Sequence, residues 1–143
     1  MKIFFLDDSV ECKNIAEWLS VNHDVKYVKT IEETFTYIQF ENGLNITDKF
    51  IIDASLDAGA LYYYDNGEFI QKEYNGVLNG LDMIIDNFHR WGLNESKNKV
   101  AVLTAFDGAV KNYNIPGEIR KNITILSKNS DDIVREIQHF LNM

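Results

Sequence analysis

The chain has one cysteine, Cys12, and one proline, Pro116. A lone cysteine closes no internal disulfide, so the fold must rest on a hydrophobic core and nothing calls for an oxidising compartment. Long apolar runs are missing too: Ile3 to Leu6 and Val100 to Leu103 are short beside the roughly 20 residues that span a bilayer. A signal-peptide core is absent, because the apolar start meets Asp7 and Asp8 before it reaches about 7 residues. Positive charge is scarce. Fourteen Lys and Arg against 22 Asp and Glu leave a net charge of −8, with a pI near 4.8, which repels a phosphate backbone. These absences predict a cytoplasmic protein that contacts neither membrane nor nucleic acid. The Asn-x-Ser/Thr triplets at Asn45, Asn94 and Asn122 are then chance matches. With 143 residues, 45% of them hydrophobic, the chain can remove roughly two thirds of its unfolded surface from water. A single domain over 1–143 is expected, without repeats or linkers.

Apolar periodicity divides the chain into alternating strands and helices. Lys2 to Leu6 reads as a strand, followed by a helix capped by Ser9 with Ile15, Ala16 and Leu19 on one face. Val25 to Lys29 alternates apolar and polar residues, as an edge strand does. Thr30 and Glu33 have the spacing of a capping box, in which each side chain satisfies the other's backbone amide; Phe35, Ile38 and Phe40 continue that helix to Gly43. Lys49 to Asp53 and Lys99 to Thr104 are apolar on both faces, as central parallel strands are. Leu81, Ile84, Ile85, Phe88 and Trp91 mark a helix closed by Gly92. Residues 107–120 contain Gly108, Pro116 and Gly117 and allow only short or irregular helix. Asn122 to Ser127 is a fifth strand, and Ser130 is expected to cap a last helix with Ile133, Ile137, Phe140 and Leu141 turned inward. Between the third strand and its helix lies an insertion, at about 57–79. Asn66-Gly67 between aromatic and β-branched residues predicts a β-hairpin over 60–73, with cross-strand packing of Tyr62, Tyr63 and Tyr64.

Five β-α units imply a doubly wound α/β fold, a five-stranded parallel sheet of flavodoxin-like order 2-1-3-4-5, with the hairpin inserted after the third strand. Ligands of such sheets bind beyond the carboxyl ends of the strands. Those ends carry Asp7 and Asp8, Asp53, Thr104 and Lys128. Crowded carboxylates repel one another unless a cation neutralises them, and an all-oxygen set suits Mg²⁺. A hard cation and a lysine beside one projecting aspartate favour attack of that carboxylate on a phosphoryl group, to which Thr104 can donate. Acids at strand ends also serve simply to cap the next helix. The joint placement of five suitable residues at four strand ends is what points to chemistry.

The segments Phe4 to Ser9, Ile51 to Leu56, Val102 to Ala105 and Leu126 to Lys128, with Gly80-Leu81-Asp82 at a helix start, resemble a response-regulator receiver domain of two-component signalling. The resemblance spans nearly the whole chain outside the insertion. It implies that Asp7, Asp8 and Asp53 bind Mg²⁺ and that Asp53 accepts phosphate from a histidine kinase, a phosphotransfer protein or a small phosphodonor. Thr104 then contacts the phosphoryl group and Lys128 pairs with it. The protein would be a phosphoprotein of a phosphorelay and no enzyme beyond modifying itself. With no output domain expected after Met143, its signal would pass by contact with an unknown downstream protein. Three positions depart from the pattern: Asn129 and Asp57 stand where prolines are usual, and Ile125 where many receivers carry Tyr or Phe.

Two other readings share the architecture. A receiver-like interaction module would never take up phosphate. A small Mg²⁺-dependent phosphatase would use an aspartate nucleophile after its first strand, but such enzymes space their two acids at i and i+2, whereas Asp7 and Asp8 are adjacent. A nucleotide or flavin binder would need a phosphate loop that these acids repel. His23, His89, His139 and Cys12 lack metal-ligand or catalytic spacing and are expected on the surface or in helix packing.

Overall fold

Strand alternation sorts the apolar side chains onto two faces of one sheet. A computed structural model describes residues 1–57, 60–65, 68–74 and 76–143, with backbone alone for 60–65 and 69–73. Strands β1 (Lys2–Leu6), β2 (Asp24–Val28), β3 (Lys49–Asp53), β6 (Val100–Thr104) and β7 (Ile123–Ser127) pair in parallel in the order β2-β1-β3-β6-β7. Counted within this sheet, the order is 2-1-3-4-5, as expected. Every residue of β3 and β6 is buried. Phe4, Leu6, Phe50, Ile52, Val100 and Val102 face one core, against α2 (Ile31–Phe40) and α4 (Asn79–Asn87), whose Phe35, Leu81 and Ile84 join it. Ile3, Phe5, Ile51, Ala101 and Leu103 face the other, against α1 (Val10–Leu19) and α7 (Ile133–Leu141). Both faces are covered, as a right-handed parallel crossover demands.

Local chemistry fixes the helix ends, with some differences from the sequence pattern. Ser9 caps α1 by accepting the Cys12 N–H. Thr30 caps α2 through the Glu33 N–H, but Glu33 Oε1 accepts from Lys29 N at 3.3 Å, so the capping box is displaced by one residue. Helix α2 stops at Phe40, which is 69% exposed rather than inward. Asn42, with φ 57°, takes the left-handed conformation, and Gly43 opens the short α3 (Gly43–Ile46) instead of ending α2. Helix α4 ends at Asn87, yet the chain keeps turning: Trp91 N bonds Asn87 O, and Gly92 at φ 68° closes the turn while Leu93 N reaches back to Phe88 O. The 107–120 stretch holds only α5 (Asp107–Lys111) and α6 (Gly117–Arg120). Helix α7 begins at Ile133, later than a Ser130 cap implies, because the Ser130 hydroxyl accepts from Asp132 N in a tighter turn. Lys49, buried in an otherwise apolar strand, reaches out of it to Asn98 O at 2.6 Å and lies over the Phe140 ring. Among the described residues no helix is long and apolar enough to cross a membrane.

In the insertion, β4 (Ala60–Asp65) and β5 (Glu68–Glu73) pair antiparallel, Tyr63 opposite Ile70, apart from the main sheet. The expected Asn66-Gly67 turn and the side chains of Tyr62 to Tyr64 lie outside the described residues. The chain re-enters the main fold at Asn79 and Gly80. Both Gly80 N and Leu81 N donate to Ala54 O, which sets the first turn of α4 directly on the end of β3. A Cβ at Gly80 would stand 1.9 Å from Asp53 O. Gly80→Ala must therefore push α4 off the strand; urea unfolding should show a loss of about 3 kcal/mol, at the upper end of overpacking costs, whereas a loss under about 0.5 kcal/mol would mean that the helix start moves freely.

Candidate functional site

Parallel pairing brings the strand tips into one row. Leu6 pairs with Ile52 and Asp53 with Leu103, so Asp7 and Asp8, one and two residues past β1, lie next to Asp53 at the end of β3. Ligand oxygens of Asp7, Asp8 and Asp53 fall within 4.8 Å of one another, and among the described residues no other His, Cys, Asp or Glu group is gathered as closely. Lys128, just past β7, extends its ammonium between two of them: 2.7 Å from Asp7 Oδ2 and 3.1 Å from Asp53 Oδ2. Asp7 and Asp53 are buried, Lys128 is largely so, and Asp8 sits at the rim. The three histidines take no part.

Each carboxylate is anchored by a backbone amide. Ser9 N donates to Asp7 Oδ1 at 2.8 Å, Ser55 N to Asp53 Oδ1 at 3.0 Å, and Asp57 N to Asp8 Oδ2 at 2.9 Å. The first two are turns closing on their own side chains; the third crosses from one strand end to the loop of another. Asp7 Oδ2 has no aligned hydrogen-bond donor, only the facing ammonium charge. Three carboxylates that share one ammonium form an all-oxygen set with negative charge in excess, which fits a small hard cation such as Mg²⁺ that Asp7, Asp8 and Asp53 would hold.

Burial pushes the Asp53 carboxyl up to about 7, with the Asp7 charge adding to the rise, while the Ser55 amide and Lys128 pull it down. Burial works against the charge of Lys128 as well, but the contact with Asp7 and the charges of Asp53 and Asp7 outweigh it and hold the ammonium above its ordinary range. Cys12, on the buried face of α1, is pushed up to about 12 by burial and remains a thiol.

Thr104 ends β6 in the same row, but its hydroxyl accepts Phe106 N–H at 2.8 Å and so is folded onto its own loop. It keeps its proton for donation. The loops after β6 and β7 are tied together: Lys128 N donates to Thr104 O at 2.7 Å, Asn129 Nδ2 to Ala105 O at 3.1 Å, and the Ser127 hydroxyl to Asp107 Oδ2 at 2.7 Å. Asn129, where a receiver usually has proline, thus holds its loop with hydrogen bonds. Ile125 is 38% exposed on the edge strand and has no polar atom to turn toward Thr104. Asn79, the Asp57 amide and Asp107 escaped the sequence reading, and Gly80 entered it only as a helix start, because the loop paths that bring these groups to their partners leave no mark on side-chain spacing.

The whole chain superposes on the receiver domain of the Francisella response regulator 1452, with a TM-score of 0.58 over 99% of this chain and 96% of that one, at 15% sequence identity. The chain has a receiver-domain fold. No protein-family model matches it, and no curated protein is detectably similar in sequence. That fold matches the order of the five parallel strands.

The raised Asp53 pKa makes stability depend on pH in a definite direction. An acid whose folded-state pKa lies above its unfolded value holds its proton more tightly when folded, so its contribution is intact below about 4 and is lost as pH rises through about 7. In cation-free buffer, urea midpoints of the wild type should fall between pH 4 and 8. Asp53→Asn should be the more stable of the two at pH 8, by on the order of 2 kcal/mol, and lose that advantage toward pH 4. An identical decline in the variant would place the pH dependence on other groups.

Proposed function

We propose that this protein is a phosphoacceptor receiver of a two-component phosphorelay, in which phosphorylation of Asp53 controls contact with a downstream protein. The observation that carries the reading is the position of Asp53: a buried carboxylate with one oxygen held by Ser55 N and the other by Lys128, at a strand tip beside two further acids. Its phosphate would come from the phosphohistidine of a kinase or phosphotransfer protein, or from a small acyl phosphate. An Asp53 oxygen attacks phosphorus, the bond from phosphorus to the donor breaks, and the leaving imidazole or carboxylate departs with its electron pair. A bound Mg²⁺ supplies charge neutralisation for the phosphoryl oxygens. Lys128 already bonds the Asp53 oxygen and offsets the charge brought next to Asp7. The Thr104 hydroxyl, with its proton uncommitted, can donate to a phosphoryl oxygen once its loop moves inward.

The adjacent spacing of Asp7 and Asp8, with Lys128 on Asp7 rather than at a separate substrate pocket, favours self-modification over phosphatase turnover. Incubation with a small acyl-phosphate donor should add the mass of one phosphoryl group in the presence of Mg²⁺, and none with a chelator or in Asp53→Asn. Lys128→Ala should slow the reaction by at least about 10-fold, in keeping with loss of a charge-assisted contact. Undiminished modification of Asp53→Asn would refute the assignment. No modification of the folded wild type would leave a partner-binding module that does not use phosphate.

A further inference from the structure

Asp8 is held in a way that the other two acids are not. Its acceptor bond comes from the Asp57 amide, 49 residues away in sequence, in the loop that leaves β3 for the insertion. The same peptide unit is gripped from its other side, where Asn79 Nδ2 donates to Leu56 O at 2.8 Å, and Asn79 also holds the preceding peptide, its Oδ1 accepting from Leu56 N at 2.7 Å. Asn79 is buried at the point where the insertion returns to open α4. One peptide, Leu56–Asp57, therefore links Asn79 at the exit of the insertion with Asp8 at the acid cluster, and hydrogen bonds in series through one amide polarise each other. A proline at position 57 has no N–H and could not make this bond.

We propose that the Leu56–Asp57 peptide is a positioning group for Asp8, and that it couples occupancy of the cluster by a divalent cation to the backbone of the insertion. The proposal rests on the reading that the three acids take up such a cation. Left alone, Asp8 at the rim would turn away from the charges of Asp7 and Asp53 toward water. The Asp57 amide holds one oxygen of the Asp8 carboxylate, and an ionised carboxylate, with about four lone-pair sites, can accept the N–H and face a cation together. Because binding free energies are reciprocal, a cation that favours this Asp8 geometry must also stabilise the peptide that enforces it. The effect should reach the start of α4, where Asn79 grips that peptide.

Magnesium titrations by calorimetry and backbone hydrogen exchange, both on the full chain, test the coupling. In the wild type, Mg²⁺ should slow exchange of the Leu56 and Asp57 amides. Asp57→Pro, which removes this N–H and fixes φ at that position, should weaken Mg²⁺ about 5-fold and abolish the change in exchange at Leu56, whereas Asp57→Ala, which keeps the N–H, should retain both the affinity and the change. Equal Mg²⁺ affinity in the wild type and a folded Asp57→Pro would overturn the proposal and leave the cation reading intact. A wild type that binds no Mg²⁺ would sink both. If Asp57→Pro does not fold, the wild-type amide decides: exchange at Asp57 that is indifferent to Mg²⁺ rules the coupling out.

Discussion

The ammonium of Lys128 between Asp7 and Asp53 is the contact on which the upper end of the molecule depends. Two carboxylates are buried there side by side, and in a low-dielectric interior neither could stay charged without a cation at hand. Lys128 reaches both from a single position, at 2.7 and 3.1 Å. Removing Lys128 leaves both acids without a cation, a loss of about 3–5 kcal/mol, whereas removing Asp53 leaves Lys128 still paired with Asp7. One positive charge against three acids still leaves the site electron-rich, and that residual imbalance gives the site its appetite for a further cation.

The sheet makes this arrangement possible. Side-chain alternation commits the apolar residues of β1, β3 and β6 to one core or the other, so a slip of one residue in register would exchange the two faces. Register is therefore rigid, and the residues just past the last paired positions inherit that rigidity. Asp7 and Asp53 are fixed by packing far below them as much as by their own hydrogen bonds. Gly80 extends the same constraint sideways: the approach of α4 to Asp53 O leaves no room for a side chain.

Strand order, the two-sided strands, the edge character of β2 and the row of strand-tip residues were all legible in the sequence, because each follows from apolar periodicity or from one residue type at a strand end. Helix boundaries were less so. Glu33 spaced as a capping box chose the Lys29 amide, and Asn42 rather than Gly43 took the left-handed turn, since a difference of one residue in backbone path leaves no mark on composition. Thr104 was correctly placed at its strand tip, but its bond to Phe106 N depends on the conformation of the loop. The ties made by Asn79 and by the Asp57 amide were invisible for a different reason: they join segments across an insertion whose length conceals that its two ends meet.

Asn129 does by hydrogen bonding what a proline would do by covalent geometry, and the two restraints differ in where they act. A proline ring narrows the conformations open to the unfolded chain, so its ordering persists whatever the folded state does. Asn129 restricts nothing before folding. Its side chain meets Ala105 O only once the loops after β6 and β7 have come together, and each such bond is worth about 1 kcal/mol against competition from water. The junction between the loops that carry Thr104 and Lys128 is accordingly a reversible fastening, whose strength responds to hydration and to whatever else offers those polar groups a partner.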